Sequence, residues 1–146
     1  MVNKEFEIKL NYIKSKDMEL NEYQNKAMET CMESSNNWSY MFLNLVGEVG
    51  ELASKVAKEI RKEQVEIRDN EFDWVITSPY DPRYPIARER AEKMEELQLE
   101  AGDILWQLAG LCEVMGWSLE EVAQMNLDKL ASRKERGVID GNGDNR

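Results

Sequence analysis

The sequence contains no histidine, and this absence excludes several kinds of catalytic site. Ferritin-like di-iron sites require a Glu-x-x-His motif, and zinc catalysis normally uses histidine or a cluster of cysteines. A serine or cysteine nucleophile paired with histidine is also impossible within one chain. What is left for a metal-dependent protein is the binding of Mg²⁺ or Mn²⁺ by carboxylate oxygens.

Cysteine and long apolar runs are also scarce, and the 29 acidic residues outnumber the 19 basic ones. Cys31 and Cys112 are isolated and fit reduced, buried thiols, so we expect a cytoplasmic protein without a disulfide. A net charge of −10 argues against a nucleic-acid polymer as partner. No apolar run approaches the length of a membrane span, and the N-terminus lacks the apolar segment of a signal peptide. We therefore expect one non-membrane domain over residues 1–146.

Helical periodicity dominates the sequence and predicts an all-α fold of the four-helix type. The first predicted helix begins near Asn21, whose side chain is expected to cap it. The second covers about 40–63 and the third about 86–115. The fourth has Ser118 as its N-cap and ends at Gly137.

Three segments lie outside these helices. Residues 1–18 form an N-terminal extension whose alternating apolar residues weakly suggest a strand, and residues 138–146 form a turn-rich tail. Residues 64–88 contain all three prolines and predict an irregular or short-stranded insert. Within this insert, residues 72–77 either form a strand that pairs with the N-terminal extension or belong to an irregular lid.

Two pairs of acids are the most informative feature of the predicted helices. Glu48 and Glu51 lie three residues apart in the second helix, and Glu100 and Asp103 lie three residues apart in the third. On a helical wheel, both pairs lie about 80° and about 140° from the centre of the apolar stripe, on the same side. Like charges at this spacing cost stability, so we expect a divalent cation to compensate them. Two antiparallel helices would bring the four carboxylates into one groove.

Glycines next to the acid pairs strengthen this interpretation. A single acid pair of this kind usually marks a solvated helix surface. Gly47, Gly50 and Gly102 each cost about 1 kcal/mol relative to alanine in a helix interior. We therefore expect close packing or the approach of a ligand at these positions.

The fourth predicted helix carries Asn126, Lys129 and Arg133 on one face. Two cations can hold phosphate oxygens, and an amide can hydrogen-bond a base or a sugar. Alone, this pattern more often marks a solvated basic face. Beside a groove of four carboxylates, it favours a ligand that carries phosphates.

Three segments resemble the MazG-type nucleoside triphosphate pyrophosphohydrolases of the all-α NTP pyrophosphatase superfamily: GEVGELASKV (47–56), EAGDILWQLAGL (100–111) and NLDKLASRKERGV (126–138). That superfamily is recognised by E-x-x-E followed by E-x-x-D. The resemblance implies a homodimer or homotetramer that hydrolyses a nucleoside triphosphate to a monophosphate and pyrophosphate. The stretch 52–99 between the acid pairs is longer than usual, so the insert is expected to reshape or cover the substrate pocket.

The resemblance also implies the roles of individual residues. The four carboxylates would hold Mg²⁺, with Mn²⁺ as a possible substitute, and Glu48 or Glu51 would orient or deprotonate the attacking water. Trp38 could stack on the base, although a tryptophan at such a position is more often a core residue. The other residues expected to bind substrate are Lys55, Lys129 and Arg133 at the phosphates and Asn126 at the nucleotide.

Two further functions are compatible with the sequence. One is a narrower enzyme of the same kind, a dCTP or dUTP hydrolase or a phosphoribosyl-ATP pyrophosphohydrolase. The other is a non-catalytic, acidic helical module for interaction or regulation. The presence of all four acids favours an enzyme, and the physiological role that we expect is sanitation of the nucleotide pool.

Overall fold

The computed structural model describes residues 18–75 and 87–138 of the chain. These residues form four α-helices and one β-hairpin, which confirms the predicted all-α class, and the predicted bounds of the two long helices lie close to the observed ones. In chain order the elements are α1 (Leu20–Met28), a 3-10 turn (Glu33–Ser35), α2 (Trp38–Arg61), β1 (Val65–Arg68), β2 (Glu71–Trp74), α3 (Ala87–Met115) and α4 (Leu119–Glu135).

The long helices α2 and α3 pack against each other and form the frame of the described chain. They approach closely at Gly110 of α3, where a Cβ atom would lie 2.4 Å from the sulfur of Met41. Met41 is completely buried, so a residue larger than glycine at position 110 would require the methionine side chain or one of the helices to move. Next to this contact, Ala109, Cys112 and Leu119 form a buried cluster that joins α3 to α4.

The start of α4 is held by two side chains. As predicted, Ser118 is the N-cap: its Oγ accepts a hydrogen bond from the backbone N–H of Glu121 at 3.2 Å. Asn21 does not cap α1, and that prediction was wrong, because the N-cap of α1 is Glu19 and makes no side-chain cap. Instead, Asn21 Oδ1 accepts hydrogen bonds from Ser118 Oγ at 2.7 Å and from the backbone N–H of Glu120 at 3.3 Å. Asn21 therefore ties α1 to the start of α4.

The insert between α2 and α3 begins with an antiparallel β-hairpin. Its turn residues Asp69 and Asn70 both have positive φ angles, as a type I′ turn requires. The strand predicted within 72–77 is present as Glu71–Trp74, but its partner is β1, which the sequence analysis missed. The N-terminal extension with which it was expected to pair lies outside the described residues.

Several helix faces carry large apolar side chains that the described residues leave uncovered. On α2, Leu43 is 68% exposed and Val46 is 63% exposed, and on α4 Met125 is 70% exposed. Single exposed apolar residues are normal, but rows of them along a helix mark interaction surfaces. Among the helices of the described chain, none is long and apolar enough to cross a membrane.

Candidate metal centre

Three of the predicted acids converge at the contact between α2 and α3. Carboxylate oxygens of Glu48, Glu100 and Asp103 all lie within 4.8 Å of one another. We call these three residues the acid cluster. Glu100 is buried, Glu48 is half-buried and Asp103 is exposed, so the cluster opens to solvent on one side. Carboxylates at this spacing can share one divalent cation.

The carboxylate of Glu51 does not belong to the acid cluster. Its side chain is exposed, although its negative charge contributes to the raised pKa of Glu48. Glu51 therefore lies at the margin of the cluster, and its role as a fourth ligand or as a base stays a prediction.

Within the acid cluster, the pKa of Glu48 is raised above its ordinary value. Burial raises the pKa of Glu48, and the negative charges of Asp103, Glu51 and Glu100 raise it further. A hydrogen bond from Asn44 opposes this change, since Asn44 Nδ2 donates to Glu48 Oε1 at 2.9 Å. Asn44 was not predicted from the sequence, although an amide four residues before an acid on one helix face is a recognisable pattern. A cation bound at the cluster would relieve the repulsion.

Lys55 and Glu100 form an ion pair at the edge of the acid cluster. Lys55 Nζ lies 2.7 Å from Glu100 Oε1. The second oxygen, Glu100 Oε2, is buried and has no hydrogen-bond partner among the described residues. A buried carboxylate oxygen without a partner is costly, and a metal ion would remove that cost. The donor set consists of carboxylate oxygens, so it fits Mg²⁺ or Mn²⁺.

The predicted substrate residues of α4 lie elsewhere. Asn126 and Lys129 line a mainly apolar cavity of about 780 Å³ that has no lining residue in the acid cluster. Arg133 is half-buried further along α4. No cation of α4 is among the causes that shift the pKa of Glu48. Within the described part of one chain, the structure therefore does not bring these three residues to the acids.

Trp38 and Trp106 differ in their surroundings. Trp38 is 51% exposed at the start of α2 and stacks on Phe42, with ring centroids 5.0 Å apart. It is therefore not a core residue of the described chain. Trp106 is half-buried and donates from Nε1 to the backbone oxygen of Ala27 at 3.1 Å and to Thr30 Oγ1 at 3.0 Å. Its contacts hold α1 against α3.

Packing among residues 18–75 and 87–138 does not explain the glycines beside the acid pairs. A Cβ atom at Gly50 or Gly102 would meet no atom within 4 Å, and one at Gly47 would meet only Asn44 Oδ1, at 3.7 Å. Of the two expected explanations, close packing is therefore not found among the described residues. The approach of a ligand stays a prediction.

A second cavity lies beside the hairpin, and the sequence analysis did not anticipate it. Its volume is about 190 Å³, and it shares the residue Lys55 with the ion pair at the acid cluster. We call it the hairpin pocket. The residues that line it are Lys55, Lys58, Glu59 and Lys62 of α2, Phe72 and Trp74 of β2, and Lys93, Glu96 and Leu97 of α3.

Comparison with known proteins identifies a family whose model matches most of this chain. The model of the MazG nucleotide pyrophosphohydrolase domain matches residues 37–138, a range that contains the acid cluster and the hairpin pocket. The chain is 38% identical over 136 residues to the Gene 37 protein of Mycobacterium phage L5. The match covers 88% of this chain and 100% of the phage protein. No solved structure matches the chain significantly.

Proposed function

This chain belongs to the MazG nucleotide pyrophosphohydrolase family, and we propose that it hydrolyses nucleoside triphosphates to nucleoside monophosphate and pyrophosphate, with Mg²⁺ as cofactor. The observation that carries the proposal is the convergence of Glu48, Glu100 and Asp103. The buried Oε2 of Glu100 adds to it, because this oxygen is a ligand atom to which no residue in the described part of the chain forms a hydrogen bond.

The acid cluster would hold the metal ion, with Glu48 oriented by Asn44. When bound, Mg²⁺ supplies positive charge that offsets the phosphate oxygens of the substrate. Lys55 adds a second positive charge at the same edge through its contact with Glu100. Substrate phosphates are thereby brought to a site that would otherwise repel them.

Glu51 is the residue that we assign as the general base. It lies outside the acid cluster, so its carboxylate stays available to accept a proton. Water attacks the α-phosphorus and loses that proton to Glu51, while the bond from the α-phosphorus to the bridging oxygen of the β-phosphate breaks. The electron pair of this bond leaves with pyrophosphate, and the nucleoside monophosphate is the second product.

We further propose that the chain acts as a homodimer or homotetramer. The exposed apolar side chains of α2 and α4, such as Leu43 and Met125, support an interface between copies. The positions of Asn126 and Lys129 away from the acid cluster also support it, because α4 of a second chain could supply these residues. Light scattering after size exclusion should give a mass above one chain. Leu43→Asp should lower that mass, whereas Ile67→Asp, at another exposed apolar position, should leave it unchanged.

A panel of nucleotides tests the proposed reaction. Ribo- and deoxyribonucleoside triphosphates, with dCTP, dUTP and phosphoribosyl-ATP among them, are incubated with Mg²⁺ and assayed for pyrophosphate and monophosphate. We expect release of both products, its abolition by EDTA, and a loss of about a hundredfold or more in Asp103→Asn and Glu100→Gln. Glu33→Gln, an exposed acid outside the cluster, is the matched control.

Two outcomes of this panel would contradict the proposal. One is a wild-type chain that releases pyrophosphate from none of the nucleotides, which would favour a non-catalytic module. The other is full activity in the cluster variants. A preference for a single nucleotide would keep the reaction and narrow the substrate.

A further inference from the structure

The hairpin pocket carries an excess of positive charge. Four lysines line it and only two carboxylates, Glu59 and Glu96, in a chain whose net charge is −10. The ammonium group of Lys58 has no ion pair or hydrogen bond with any described residue. A concentration of cations within an acidic chain favours the binding of an anion.

A buried carboxylate holds two of these lysines in place. Glu59 is only 8% exposed, and its Oε1 lies 2.7 Å from Lys93 Nζ and 3.5 Å from Lys62 Nζ. Burial raises the pKa of Glu59, but the hydrogen bond and charge of Lys93 and the charge of Lys62 outweigh this and lower it overall. Glu59 therefore stays ionised, and its ion pairs hold Lys62 of α2 and Lys93 of α3 at the hairpin pocket.

The hairpin pocket lies next to the acid cluster. Lys55 lines the pocket, and its ammonium group lies 2.7 Å from Glu100 of the cluster. Lys58 and Lys62 follow on the same helix, so the lysines of α2 extend over about 10 Å away from the cluster. A row of cations that leads away from a metal site suits a chain of phosphates better than one isolated phosphate.

The dimensions and walls of the pocket point to the same ligand. A volume of about 190 Å³ accommodates phosphate groups but not a whole nucleotide. Phe72 and Trp74 form one wall in an edge-to-face arrangement, with centroids 6.0 Å apart. Aromatic walls exclude water, which strengthens the attraction between lysines and an anion.

We infer that the hairpin pocket binds the terminal phosphates of a polyphosphate ligand. This inference rests on the proposed function in one respect: in the reaction, the ligand is the pyrophosphate part of the triphosphate. The hairpin pocket would then explain a preference for triphosphates over mono- and diphosphates, and it would retain the leaving pyrophosphate next to the acid cluster. The lysines supply charge at the phosphates, and Glu59 acts as a positioning residue.

Binding of inorganic polyphosphates to the full chain tests the inference. Calorimetric titration with sodium pyrophosphate and with tripolyphosphate, in the presence of Mg²⁺, measures affinity without requiring hydrolysis of a nucleotide. We expect Lys58→Ala and Lys93→Ala each to weaken binding by about tenfold, since each removes one charge-assisted contact. Lys58→Arg should retain most of the affinity. Lys26→Ala, an exposed lysine on α1, is the matched control and should bind like wild type.

Adenosine, which lacks phosphates, distinguishes the binding of an anion in the hairpin pocket from the stacking of a nucleotide base on Trp74. The inference is overturned if the wild-type chain does not bind tripolyphosphate, if Lys58→Ala and Lys93→Ala bind as tightly as Lys26→Ala, or if adenosine competes with tripolyphosphate. An active enzyme in which the lysine variants leave both tripolyphosphate affinity and KM unchanged would overturn the pocket and leave the proposed function intact. Lysine-dependent tripolyphosphate binding by an inactive chain would overturn the function and leave the pocket intact.

Discussion

The ammonium group of Lys55 lies 2.7 Å from a carboxylate oxygen of Glu100, and this ion pair connects α2 to α3 between the acid cluster and the hairpin pocket. The hydrogen bond to Glu100 raises the pKa of Lys55, so the lysine is charged at neutral pH. Its charge would therefore act on the two proposed ligands in opposite directions: it would repel a metal cation at the cluster and attract the phosphates of a substrate.

Lys55→Met should separate these two effects. We expect Mn²⁺ or Mg²⁺ to bind up to about tenfold more tightly, because a neighbouring cation is lost. We expect KM for the triphosphate to rise by about tenfold, because a phosphate contact is lost. Calorimetry for the metal and steady-state kinetics for the substrate measure the two quantities. Weaker metal binding in Lys55→Met would show that the lysine organises Glu100 rather than competing with the cation.

Gly110→Ala should destabilise the contact between α2 and α3. The added Cβ atom would lie 2.4 Å from the sulfur of the completely buried Met41, so one of the two helices or the methionine must move. Overpacking of this kind costs about 1–3 kcal/mol, and the flexibility of methionine favours the lower part of that range. Urea denaturation measures the change in the free energy of unfolding.

Gly50→Ala is the matched control for this substitution. A Cβ atom at Gly50 would meet nothing within 4 Å, so the replacement should stabilise the helix by up to about 1 kcal/mol. Equal effects of the two substitutions would contradict the close approach at Gly110. A double variant with Met41→Ala should cost less than the sum of the two single substitutions.

Asn21→Ala should weaken the attachment of α1 to α4. The substitution removes the acceptor of the hydrogen bonds from Ser118 Oγ and the backbone N–H of Glu120. The loss of a cap and of a bridging hydrogen bond costs about 1–3 kcal/mol. Thermal unfolding measures it, with Asn25→Ala as the control, since Asn25 is exposed on the same helix. If both variants lose the same stability, the link between α1 and α4 is not what Asn21 contributes.

Glu59→Gln should change how stability depends on pH. Burial raises the pKa of Glu59, but Lys93 and Lys62 lower it by a larger amount. The pKa of Glu59 in the folded chain therefore lies below its ordinary value. A lowered pKa stabilises the folded state above the pKa of the unfolded chain, and this contribution is lost as the pH falls through the folded value. Wild type should therefore be more stable than Glu59→Gln near neutral pH, and the difference should narrow in acid.

Thermal unfolding from about pH 7 to about pH 3 measures this difference, since the range covers the titration of carboxyl groups. Glu66→Gln provides a comparison, because Glu66 lies on the hairpin and its ion pair with Arg68 is exposed. Exposed ion pairs contribute little to stability. A difference between wild type and Glu59→Gln that stays constant over the whole range would contradict the ionised, paired state of Glu59.

Local patterns in the sequence determined much of this protein. The long helices follow from apolar periodicity, and Ser118 caps α4 through a residue only three positions away, a distance that sequence reasoning can read. The positions of the acid pairs on their helix faces are likewise local, because helix geometry alone sets the angle between residues three apart. The convergence of Glu48, Glu100 and Asp103 was predictable once two such helices were assumed to be antiparallel, but the position of Glu51 outside the cluster was not.

Only the tertiary structure decided the remaining features, because they depend on which residues that are distant in the sequence come into contact. Asn21 is of a residue type that often caps its own helix, yet its hydrogen-bond partners lie at the start of α4. The lysines of the hairpin pocket belong to α2 and α3, and the pocket is completed by an aromatic wall from β2. No local spacing encodes such an arrangement. The contact of Gly110 with Met41 is of the same kind, since periodicity identifies the face of a helix but not the side chain that packs against it.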